Sequence, residues 1–142
     1  MKIKTEVEIP NDIIVALVIT AFEGGSNYWA PNVEFNGTRD GYDANPWYSA
    51  EKYTNYLAQA DGLSTDVSER VLWFILFEDE DESGVMEDMK KHNIGRVQIE
   101  KGLNLMAANA SWHFNNIVND NWDAETADVF LQYVVLGEIV YG

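Results

Sequence analysis

The sequence holds no cysteine, only two histidines and three prolines, and nine lysines and arginines against 24 aspartates and glutamates. Without cysteine there is no disulfide framework, no thiol nucleophile and no cysteine-rich zinc site. The first residues lack the basic-then-apolar pattern of a secretory signal, so a reducing cytoplasm is the expected location. The longest apolar stretch, Ile13 to Ile19, falls far short of the roughly 20 residues that span a bilayer. The shortage of bases has the widest consequence. Counterion release from a phosphate backbone needs clusters of lysine and arginine, and a net charge of −15 repels phosphates and acidic lipid headgroups at long range. Direct binding of nucleic acid or of an acidic membrane is therefore not expected. The partners left open are a basic protein or a small ligand in an inward-facing site, and the charge also serves plain solubility. What the chain does have is apolar content: 46% of its 142 residues are hydrophobic and 13% aromatic, enough for a packed core and against disorder.

Periodicity organises the chain into one α+β domain, residues 1–142, with a small antiparallel or mixed sheet packed by about four to five helices. Lys2 to Glu8 alternate as a half-buried strand that Pro10 stops. Asn11 or Asp12 then caps a helix over Ile13 to Phe22, apolar almost all round and hence a buried N-terminal helix, with Gly24-Gly25 placed to end it in a left-handed turn. From Ser26 to Asp66 the composition becomes loop-like, with a short strand at Val33 to Phe35, a tight turn at Asn36-Gly37, and a helix capped by Ser49 over Ala50 to Ala60. Val71 to Phe77 is an unbroken apolar run, read as a central strand buried on both faces and ended by the acidic run Glu78 to Glu82. Gly84 to Asn93 supports neither period well. Gly95 to Ala108 fits a helix weakened by about 1 kcal/mol at Gly102, and Trp112 to Val118 a shorter one. Asp123 caps a long C-terminal helix in which Val129, Tyr133, Leu136 and Val140 form one stripe, interrupted or ended by Gly137.

Two strings stand out: Glu23-Gly24-Gly25-Ser26-Asn27-Tyr28-Trp29, and Asp123-Ala124-Glu125-Thr126-Ala127-Asp128 followed by Leu131-Gln132 and by Gly137-Glu138-Ile139-Val140-Tyr141-Gly142. In these two segments the chain resembles a group of small tailed-phage and prophage proteins. The resemblance implies an origin in a bacterial virus and action in the host cytoplasm; it implies no reaction.

In the first string Asn27, Tyr28 and Trp29 suit a planar ligand: an asparagine amide reads a base edge through its paired donor and acceptor, and the two rings offer stacking faces. The competing reading makes a glycine the helix cap and lets Tyr28 and Trp29 close the core. In the second string Asp128 and Gln132 share a helix face, with Glu125 a turn earlier, and line either a pocket or an ordinary solvated face. A ligand site would also draw in one of Arg39, Arg70 or Arg96.

The metal and catalytic signals are weaker. Asp79, Asp81, Ser83 and Gly84 copy positions 1, 3, 5 and 6 of a calcium loop, but Lys90 stands at position 12, where a bidentate glutamate is required. The turn is accordingly expected to be exposed and metal-free, its charges keeping a β-prone strand from pairing with other chains. His92 and His113 have no zinc-binding spacing, and Ser111 two residues before His113 does not make a nucleophile–base pair. No catalytic residue and no cofactor is assigned. The sequence thus points to a non-enzymatic cytoplasmic binding protein that sequesters a small planar, nucleotide-like host molecule through Asn27, Tyr28, Trp29, Asp128 and Gln132. Its alternatives are an acidic decoy for a basic, nucleic-acid-binding host protein, a calcium binder, or an unidentified hydrolase. The apolar surplus of Val134, Val135, Leu136, Ile139, Val140 and Tyr141 leads to the further expectation of a symmetric homo-oligomer through that segment.

Overall fold

The computed structural model describes residues 1–35 and 72–142, and its elements are an antiparallel sheet and four α-helices, an α+β arrangement. The turn at Asn36-Gly37, the helix over Ala50 to Ala60, Arg39 and Arg70 lie outside the described residues.

Residues 1–8 are exposed and form no strand, contrary to the alternation in the sequence. Period-2 patterning stabilises a strand only when a neighbouring edge accepts it, and residues 1–8 pair with no strand of the sheet. Helix α1 (Asn11–Thr20) starts directly after Pro10, whose extended backbone serves as the cap; neither Asn11 nor Asp12 is the cap residue, and Asp12 instead lies in the first turn, where its charge suits the helix dipole. Val15, Leu17 and Val18 are buried, so the expected N-terminal core helix is present.

Gly24 and Gly25 do not end α1 in a left-handed turn. The chain continues as a wide π-helical turn over Ala21–Gly25, closed by Ser26 N–H on the Ala21 carbonyl at 2.6 Å. The need for glycine is steric at Gly25, where a Cβ would stand 2.7 Å from the Ala124 carbonyl oxygen.

Strand β1 (Asn32–Phe35) pairs antiparallel with β2 (Leu72–Glu78), which pairs antiparallel with β3 (Lys90–Gly95). The apolar run is therefore the central strand, as its composition demands. Alternation puts Phe74, Leu76 and Glu78 on one face, and all three are buried, so the first residue of the acidic run points inward. A short 3-10 turn (Met86–Asp88) leads into β3, over the stretch with no clear period.

Helices α2 (Arg96–Asn109), α3 (Ser111–Val118) and α4 (Ala124–Leu136) follow at the expected places. Gln98 accepts the Gly95 N–H at the start of α2, and Asp123 accepts the Thr126 N–H at the start of α4. Gly137, in the left-handed conformation at φ 77°, ends α4, so Val140 is not on its apolar stripe and is exposed. Helix α4 is the most enclosed element, buried at Thr126, Ala127 and Val129 to Val134. Packed against it are α1 with its π-turn, α2, α3 and β3.

The α2–α4 crossing depends on Gly102. A Cβ there would lie 2.5 Å from the Val134 Cα, a backbone atom that moves only with its helix. Gly102→Ala should therefore lose about 1–2 kcal/mol, the helix-propensity gain of roughly 1 kcal/mol being outweighed by overpacking. Urea unfolding measures this; an unchanged or higher midpoint would show that the helices do not approach so closely.

Candidate functional site

The two strings singled out in the sequence fold onto one another. The π-turn delivers Ser26 beside α4, and a tight turn bonded from Trp29 N–H and Ala30 N–H to the Ser26 carbonyl presents Tyr28 and Trp29 to the same helix face. The Trp29 carbonyl accepts the Asp79 N–H at 2.9 Å, which ties this turn to the end of β2.

Asp128 is the meeting point. Its Oδ1 accepts the Ser26 hydroxyl at 2.7 Å and the Trp29 indole N–H at 2.8 Å. Its Oδ2 accepts the Tyr28 hydroxyl at 2.8 Å and the Gln132 amide N–H at 3.2 Å. One helical turn on, Gln132 is buried and uses its whole hydrogen-bonding capacity. Its Nε2 donates to Asp128 and to the Tyr141 carbonyl at 3.1 Å, while its Oε1 accepts Val140 N–H at 2.8 Å and Tyr141 N–H at 2.9 Å. Gly137 turns the chain back along α4 and so makes this contact geometrically available.

A second carboxylate continues the network. Tyr141 stacks on Trp29 with centroids 5.3 Å apart and planes within 9°, and its hydroxyl donates to Glu78 Oε2. Glu78 Oε1 faces His92 Nε2 at 2.8 Å, so Nε2 carries the proton. Glu78 is buried, which corrects the expectation of an acidic run exposed from its first residue; a buried carboxylate is tolerable here because two donors meet it. Glu80, Asp81 and Glu82 are exposed as expected. Asp79 accepts Ser83 N–H and Gly84 N–H, so its oxygens stabilise the turn itself. Among the described residues no three histidine or acidic side chains are grouped to hold a metal ion.

Four of the five residues assigned to a ligand site, Tyr28, Trp29, Asp128 and Gln132, are therefore together, while Asn27 is exposed at the edge. Their grouping differs from an open pocket. Trp29 is 1% exposed, with one ring face covered by Tyr141 and its N–H engaged, so it offers no stacking surface. Tyr28 is half exposed, its ring outside and its hydroxyl anchored. Arg96 lies exposed at the start of α2. Sequence reasoning did not assign Ser26, Glu78, His92 and Tyr141 to the site. Glu78 was accessible through the period-2 pattern of its strand, and Ser26 and Tyr141 belong to the two strings already singled out.

Comparison with family models, with curated proteins and with solved structures gives no match for the chain.

Both phenols titrate above their ordinary range. Tyr28 rises from 10.0 to about 12, through desolvation first and then the Asp128 carboxylate; Tyr141 rises for the same reason, with Glu78 as its carboxylate. In the unfolded chain both ionise near 10, so the stability they contribute is complete below that pH and is lost as pH climbs through the raised folded values. Thermal unfolding should show a melting temperature that falls between about pH 10 and 12, and more gently in Tyr28→Phe. Identical slopes in parent and variant would show that the Tyr28 hydroxyl is not held by Asp128.

Proposed function

We propose that the protein is a non-enzymatic interaction protein whose acidic exterior engages a basic, nucleic-acid-binding protein. The observation that carries this reading is how the carboxylates divide. Glu78 is buried and Asp128 half-buried, each bonded to donors, whereas Glu80, Asp81, Glu82, Glu87 and Asp88 all stand exposed on the connection between β2 and β3. Carboxylates and a histidine that satisfy one another stabilise a fold; none is poised as a free general base or nucleophile. A dense exposed negative field is what a lysine- and arginine-rich surface binds in place of a phosphate backbone, and it speeds encounter through electrostatic steering. The resemblance to small tailed-phage and prophage proteins supports a bacterial host cytoplasm as the setting. No helix among the described residues is long and apolar enough to cross a membrane.

A second reading rests on Tyr28. The residue is 53% exposed while its hydroxyl is fixed, which offers a stacking face beside Asn27 for a small planar ligand. Nucleotides in a thermal-shift screen would raise the melting temperature under this reading and leave it unchanged under the first.

The direct test uses a labelled DNA duplex bound to a small lysine-rich DNA-binding protein. Adding this protein should release the duplex at roughly 50 mM salt, where the acidic field is least screened, beyond the release that salt alone produces. Neutralising the turn (Glu80→Gln, Asp81→Asn, Glu82→Gln, Glu87→Gln, Asp88→Asn) should weaken release at least tenfold. Release that ignores these changes, or no release at low salt, would refute the proposal.

A further inference from the structure

Val140 and Tyr141 are held the way a binding protein holds a peptide. Gln132 meets the main chain of Tyr141 at both its N–H and its carbonyl and meets the Val140 N–H as well, so one side chain supplies the pairing that a neighbouring strand would give. The side chain of Tyr141 is recognised separately: Trp29 stacks on its ring and Glu78 accepts its hydroxyl. Every one of these contacts ends on residue 140 or 141. The connection that precedes them, Gly137 to Ile139, is exposed and turns at a glycine with positive φ, and Ile139 and Val140 leave more than half of their surface open.

We propose that Trp29, Glu78 and Gln132 form a tyrosine-specific peptide socket, filled in the monomer by residues 140–141 of its own chain and able to take the same segment from a second copy. Exchange would preserve every contact, because the hydrogen bonds and the stack depend on the segment and not on which chain it belongs to. It requires only that the connection at Gly137 open, and it would bring the exposed Ile139 and Val140 of both copies to the centre of a two-fold contact. The short connection gives a chain's own segment a millimolar effective concentration, so exchange becomes measurable where that segment is disabled. Phenylalanine in place of tyrosine would leave Glu78 without its hydroxyl donor, which is the source of the specificity. This inference is independent of the acidic surface and of its partner.

The test uses the full-length chain. Tyr141→Ala disables the segment but leaves the socket; Gln132→Ala disables the socket but leaves the segment. Sedimentation of the two variants mixed should reveal a heterodimer that neither forms alone. The Tyr141→Ala chain, shown to be folded by circular dichroism, should bind a fluorescent Gly-Glu-Ile-Val-Tyr-Gly peptide saturably, and the same peptide with phenylalanine in place of tyrosine at least fivefold more weakly. No heterodimer together with no peptide binding, or equal binding of both peptides, would overturn the proposal. Should Tyr141→Ala not fold, Tyr141→Phe takes its place: the tyrosine peptide should then displace the weakened segment and the phenylalanine peptide should not, and displacement by neither or by both alike would overturn it equally.

Discussion

A carboxylate drawn even partly out of water must be met by donors or it opposes folding, and the half-buried Asp128 meets that condition by gathering four of them from two distant parts of the chain. Ser26, Tyr28 and Trp29 are about a hundred residues away in sequence, yet all converge on one side chain of α4. The geometry admits few alternatives. The π-turn must bring Ser26 against the helix, which is why the residue facing the Ala124 carbonyl is glycine. Charge-assisted hydrogen bonds are roughly twice as strong as neutral ones, so this carboxylate also fixes the rotamers of the rings around it.

Order spreads outward from that point. With Trp29 held by its indole N–H, its ring becomes a fixed platform for Tyr141, and Gln132 has one amide hydrogen on Asp128 and the rest of its capacity on the returning main chain. Tyr141 then delivers its hydroxyl to Glu78, and Glu78 engages His92 on the adjacent strand. A polar chain thus connects helix α4 to the sheet through the segment after Gly137. Such a network is costly when partly satisfied and rigidifying when complete, and here each member has its partners.

Much of the fold was legible because its signals are local. The central strand, the cap at Asp123, the helices from Gly95 onward and the short strand near Val33 follow from apolar runs, capping chemistry and periodicity. Misreadings arose where tertiary contact decides. The Lys2 to Glu8 alternation pairs with no strand, and Gly24-Gly25 is shaped by the approach of α4 and not by a left-handed cap. At the site, the sequence marked Tyr28, Trp29, Asp128 and Gln132 as unusual but could not show that they face one another, since donor and acceptor lie on separate strings. Nor could it show that Gly137 sends Tyr141 back over Trp29, the feature that turns an apparent stacking face into an occupied one.

The central claim, that Asp128 holds these parts together, is tested most directly by the stability of Asp128→Ala in urea. The substitution strands the buried Ser26 hydroxyl, Trp29 indole N–H and Gln132 amide, each costing about 1–3 kcal/mol when left without an acceptor, so a loss of at least about 3 kcal/mol is predicted. A loss below about 1 kcal/mol, within the range of an ordinary surface change, would contradict the account.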